Sequence, residues 1–141
     1  MKGSAIGAAV VILALIAAVG QEQVRTPENR RVCKRNPDLA GQCFEIRGRA
    51  YVSNGTPDLR IWRVGTNRIL GVTASATADD AEDPIVPKKL LRAQGIPPND
   101  HFVFGDFEVC PFTPEREGYM QMVCVERADN LVIKPYGYGS K

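Results

Sequence analysis

The chain has one histidine and one tryptophan in 141 residues, and no Cys-x-x-Cys pair. A lone histidine excludes a histidine-cluster metal site, and the missing knuckle spacing argues against structural zinc. No Gly-x-Ser-x-Gly turn is present to expose a hydrolase nucleophile. Neither sign of charge dominates: 18 basic residues face 16 acidic ones, for a net charge of +2. The overall balance therefore gives no reason to expect a nucleic acid partner. No internal repeat and no cofactor fingerprint stands out, so no cofactor is expected.

What is present begins at the N-terminus. Lys2 precedes an uncharged run, rich in Ala, Val, Ile, Leu and Gly, that extends to Gln21. A basic start, an apolar stretch and small residues at Ala18 and Gly20 together match a secretory signal. The run is also at the short end of what can span a bilayer, so residues 3–20 could instead be an uncleaved inner-membrane anchor. Arg25, Arg30, Arg31, Lys34 and Arg35 follow the run, and the positive-inside rule would keep that side cytoplasmic. The cysteines weigh the other way. The expected location is periplasmic or extracellular. No lipobox cysteine ends the run, so a lipid anchor is not suggested.

Cys33, Cys43, Cys110 and Cys124 are even in number and fall in two local pairs. Four cysteines allow three connectivities. Local pairing, Cys33–Cys43 with Cys110–Cys124, is the favoured expectation. Each bridge would add about 3 kcal/mol in the chain-entropy model.

The rest divides into a polar arm over residues 21–42, a strand-rich domain over 43–135 and a tail over 136–141. From Cys43 the pattern has period two. Phe44, Ile46, Gly48, Ala50 and Val52 share one face; Glu45, Arg47, Arg49 and Tyr51 share the other. Asn54-Gly55 is a hairpin signal leading into a second strand over 58–64. A two-residue turn would pair Ala50 with Leu59 and Gly48 with Ile61. It would also set Arg49 beside Arg60 and Arg47 beside Trp62. A short strand over 68–72 follows. Residues 73–87 lack periodicity and read as an acidic surface loop, and 88–93 as one or two helical turns. Stretches 102–109, 119–127 and 131–134 are rich in β-branched or aromatic residues and read as three more strands. Six short strands and scarcely any helix predict an all-β domain: a small antiparallel sandwich, Ig-like or transthyretin-like, or a barrel.

Gly48-Arg49, Asn54-Gly55-Thr56-Pro57 and Val64-Gly65-Thr66 together resemble the opening hairpin of transthyretin-like (prealbumin-like) β-sandwich modules. The whole chain is similar to small exported bacterial proteins of no assigned activity. The resemblance implies a binding or accessory role and no catalytic residues.

The residues favour binding over catalysis. The expected polar face of the first hairpin carries Arg47, Arg49, Tyr51, Arg60 and Trp62. Arginine forks and aromatic faces suit an acidic protein or an anionic glycan. The competing reading has Asp106, Glu108 and Glu126 neutralise those arginines within the fold. Hydrolase-like chemistry would have to run through His101, with Asp100 or Asp106 nearby. Asp79, Asp80, Glu82 and Asp83 offer oxygens to calcium, but without EF-hand spacing, so no metal is expected. Asn54-Gly55-Thr56 fits a glycosylation sequon, though the turn explains it as well. Arg30, Arg31, Lys34 and Arg35 could touch anionic headgroups, giving residues 1–35 a possible membrane contact. A structural protein of the cell envelope, anchored by its leader, is the main alternative to a binding module.

Overall fold

A computed structural model describes residues 32–77, 83–95 and 100–137. The expected signal or anchor lies outside the described residues, as do Arg25, Arg30, Arg31, Asp79, Asp80 and Glu82. Among the described residues no helix is long and apolar enough to cross a membrane.

Among the described residues, five strands and one α-helix follow a short 3-10 turn. They are β1 (Phe44–Val52), β2 (Leu59–Arg63), β3 (Ile69–Val72), α1 (Lys88–Gln94), β4 (His101–Pro111) and β5 (Gln121–Pro135). The strands form one mixed sheet in the order β1-β2-β3-β5-β4, and β4 pairs back to β1, so the sheet closes into a barrel. All pairings are antiparallel except β3 with β5, which is parallel.

The period-two pattern of β1 decides which side chains enter the barrel. Ile46 and Ala50 point inward with Leu59, Ile61, Leu70, Val72, Val103, Phe107, Val109, Val123, Val125 and Ala128. Helix α1 contributes the fully buried Leu90 to the same core. Its last turn ends at Gly95, whose φ of +65° suits a residue without a Cβ. Gly48 and Gly105 are cross-strand partners on β1 and β4, and the ring of Phe107 lies against both. The missing side chains make room for that ring, the largest fully buried side chain in the domain.

The first hairpin keeps the expected faces but not the expected register. Val52 pairs with Leu59, Ala50 with Ile61 and Arg49 with Trp62, a shift of two positions along β2. The loop therefore spans residues 53–58, closed by the Ser53 N–H donating to the Asp58 carbonyl at 2.9 Å. A two-residue turn would have put Pro57 inside the ladder, where it cannot donate. Instead Pro57 follows a cis peptide bond and packs over Gly71. A shift of two preserves the faces because side chains alternate with period two. Arg60 now stands opposite Tyr51, which removes the expected arginine–arginine pair.

The three expected C-terminal strands are two long ones. The expected break near residues 128–130 is an irregularity inside β5, with Asn130 at φ 51° and a register shift between Phe104 and Asp106. The ladder to β4 resumes beyond it, so the strand continues.

Both local disulfides are replaced by long-range ones, Cys33–Cys124 and Cys43–Cys110. The β1–β4 register places Phe44 opposite Val109, which brings Cys43 to Cys110. A short 3-10 turn, Cys33–Arg35, brings Cys33 to Cys124. The sulfurs join Phe112 in a second buried cluster, with Leu39, Ile85 and Met122 packed on it. Two disulfides point to a location outside the cytoplasm.

Candidate functional site

Closing the sheet sorts the outward side chains into rows that cross the strands. In one row Ile69 pairs with Trp62, Trp62 with Arg49, Arg49 with Phe104 and Phe104 with Val132. In the next, Arg60 pairs with Tyr51, the Tyr51 and Phe102 rings meet edge to face at 6.2 Å, and Phe102 pairs with Lys134. A third row sets Arg47 opposite Asp106 and Asp106 opposite Asp129.

Arg49 sits at the centre of the first two rows. Its guanidinium carbon lies 4.3 Å from the Phe102 ring centroid, 4.7 Å from that of Trp62 and 5.7 Å from that of Tyr51. Three ring faces attract the cation through their quadrupoles. They do not cancel its charge. Its Nε is buried with no hydrogen-bond partner among the described residues, although the residue as a whole is half-exposed. No described carboxylate forms a salt bridge with it.

The aromatic surround is held in place from below. The Trp62 indole N–H donates to the Thr66 carbonyl at 2.7 Å, and the Thr66 hydroxyl donates to the Arg63 carbonyl at 2.8 Å. Phe102 is braced by Phe104 at 6.4 Å and Tyr136 at 4.2 Å, both edge to face. Arg60 donates its Nε–H to the Pro57 carbonyl at 3.0 Å. Lys134 approaches the Phe104 ring at 5.5 Å.

The neighbouring region is neutralised internally. Arg47 pairs with Asp106 at 2.9 Å, and the Asn130 amide donates to the same carboxylate at 2.7 Å. These bonds, the one from Asn130 first, hold the Asp106 pKa below its ordinary value. Lys34 donates to Glu108 at 2.8 Å, which lowers the Glu108 pKa and raises that of Lys34. Arg127 bonds Glu45 and, at 2.9 Å, Asp129; Lys89 also bonds Asp129. Of the five side chains expected on this face, Arg49, Tyr51, Arg60 and Trp62 are brought together. Arg47 belongs to the ion-paired row.

Phe102, Phe104 and Tyr136 complete the face and were not expected there. The signal for two of them is in β4, where Phe102 and Phe104 share parity with the outward Asp106 and Glu108. Beyond Trp62, Ile69 opens into a cleft of about 560 Å³ lined by Asn67, Arg68, Glu115, Glu117 and Tyr119. Arg68 pairs with Glu115 there at 3.2 Å.

The remaining candidates lie elsewhere. Both nitrogens of His101 are engaged, Nδ1 with Asp100 at 2.5 Å and Nε2 with the Ala93 carbonyl at 2.8 Å. Asn54 is exposed in the 53–58 loop, and Asp83 and Arg35 are exposed. Lys34 is tied to the barrel by Glu108, and its backbone N–H donates to Glu126 at 2.9 Å. The sulfurs of Cys33, Cys110 and Cys124 lie within 4.8 Å of one another, but each is spent in a disulfide. Comparison with protein-family models, with curated proteins and with solved structures returned no match.

Proposed function

We propose that this chain is an exported, non-catalytic binding module of the cell envelope, and that its ligand is anionic. The closed five-stranded sheet is read as a Greek-key barrel of the OB type, from its strand order, its parallel β3–β5 pair and its helix between β3 and β4. Such a barrel hosts many activities, so the site carries the reading and the fold does not. The leader and the disulfides support export.

One observation carries the binding role. Arg49 is a cation set among Trp62, Phe102 and Tyr51, with no carboxylate partner among the described residues. The protein has neutralised Arg47 one row away and has left Arg49 charged. A half-buried unpaired guanidinium gains most from an incoming anion, which can accept two parallel hydrogen bonds.

The test compares two arginines. Wild type, Arg47→Ala and Arg49→Ala are immobilised and exposed to envelope extracts of the native host. The bound material should be retained by wild type and Arg47→Ala and lost from Arg49→Ala, with all three melting at similar temperatures. Equal retention by both variants would defeat the reading.

A further inference from the structure

Independently of the binding role, we propose that the two disulfides form a relay. A small thiol enters it at Cys43, and the relay ends by freeing Cys33 from β5. The exchange moves one crosslink from the β1–β4 seam to the β4–β5 ladder.

Three adjacent strands supply the arrangement. The β1–β4 register places Phe44 opposite Val109, which sets Cys43 beside Cys110, its disulfide partner. The β4–β5 register sets Cys124 opposite the same Cys110. Directly opposite residues turn their side chains to one face of the sheet. Cys110, on the middle strand, therefore has a cysteine on either side. It is bonded to one of them, and Cys33 holds the other. The sulfurs of Cys33, Cys110 and Cys124 all lie within 4.8 Å of one another, so the two disulfides are neighbours.

Exposure fixes where an external thiol enters. Cys33 is 2% exposed, and Cys110 and Cys124 are fully buried in the cluster with Phe112. Cys43 alone among the four is partly exposed, next to the exposed Gly41 and Gln42. Exchange requires a thiolate to reach a disulfide sulfur, and the sulfur attacked decides which partner leaves. A small thiolate that attacks Cys43 Sγ forms a mixed disulfide there and breaks the bond to Cys110. The Cys110 thiolate is then left in an apolar cluster, where an unpaired charge is costly. Cys33–Cys124 lies beside it. Attack on Cys124 Sγ forms Cys110–Cys124 and expels Cys33, which takes the proton that the incoming thiol gave up. Two disulfides are present before and after, so a monothiol drives the exchange with no net oxidation or reduction. The 3-10 turn loses its covalent tie to β5, while β4 and β5 gain one.

The full oxidised chain is incubated with glutathione, quenched with acid, alkylated with N-ethylmaleimide in denaturant and mapped. Before the thiol is added, the map should hold only Cys33–Cys124 and Cys43–Cys110. Afterwards glutathione should sit on Cys43 and maleimide on Cys33, with a Cys110–Cys124 peptide in equal amount. Circular dichroism should stay native throughout. Cys43→Ser starts the relay at its second step, so its maleimide should fall on Cys33 without any glutathione. In the Cys33→Ser, Cys124→Ser double variant the acceptor bond is gone, and the label should move to Cys110.

Maleimide on Cys110 of the wild type, with Cys33–Cys124 intact, would overturn the relay. Glutathione on Cys33 or Cys124 would place the entry elsewhere and overturn it too. So would an inert protein, or exchange that appears only as the native circular dichroism is lost.

Discussion

Cys110 and Cys124 stand directly opposite each other on β4 and β5, yet neither is bonded to the other. Each is claimed by a cysteine from the N-terminal side of the chain. Cys43 reaches Cys110 from the start of β1, and Cys33 reaches Cys124 from the 3-10 turn. Peptide mapping without reductant should therefore recover Cys33–Cys124 and Cys43–Cys110 fragments. The bridged residues are 91 and 67 apart in sequence, far more than local pairing would give. Removing either bridge by a double Cys→Ser change should cost about 2–5 kcal/mol in denaturant unfolding. Recovery of a Cys110–Cys124 fragment would contradict this connectivity.

The Gly48–Gly105 pair makes a sharper packing prediction. A Cβ on Gly48 would fall 2.6 Å from Cγ2 of Ile61 and 2.9 Å from Cδ2 of Phe107. Both neighbours are fully buried and have little room to move. Gly48→Ala should destabilise the barrel by about 1–3 kcal/mol through overpacking. Phe107→Leu in the same chain should recover part of that loss, read as the midpoint of urea unfolding.

His101 gives the domain a response to alkali. Both of its ring nitrogens face acceptors, and a neutral imidazole has only one N–H to offer. The Asp100 hydrogen bond, and then the Ala93 carbonyl, raise its pKa above the ordinary 6.5. A raised folded-state pKa stabilises fully below the unfolded value and loses that contribution as pH climbs through the folded one. Melting temperature should fall across that window in the wild type and stay flatter in His101→Gln. A proton titration of the imidazole that centres below 6.5 would refute the assignment.

Acid acts through different groups. The Lys34 hydrogen bond holds the Glu108 pKa below 4.5, and the Asn130 and Arg47 bonds hold that of Asp106 below 3.8. Depressed carboxylates stabilise above their unfolded pKa and lose that contribution as pH falls through the folded value. Lys34→Ala should move the Glu108 titration back up and shift the acid-unfolding midpoint to higher pH. Carboxyl NMR titrations of the two proteins check both shifts.

The strand-rich character of the domain was legible because alternation is local. Phe44 to Val52 alternates cleanly, and β1 forms there with those faces. The faces of β2 were legible for the same reason, but its register was not. That depended on where Pro57 could be placed, and the answer is against Gly71, which is distant in sequence. The disulfide partners were hidden for a related reason. Cys43 meets Cys110 only because β4 returns to β1, and ring closure leaves no mark in any short window. The parallel β3–β5 pairing was equally invisible. The candidate face was half legible. Arg49 and Trp62 sit in one hairpin, whereas Phe102 and Phe104 arrive from β4 and Tyr136 from just past the end of β5.

The Cys33–Cys124 bond also decides how the domain bears a load. A pull on the chain ahead of residue 32 reaches β5 directly, through Cys33 and its bond to Cys124. The route enters where β5 is laced to both β3 and β4.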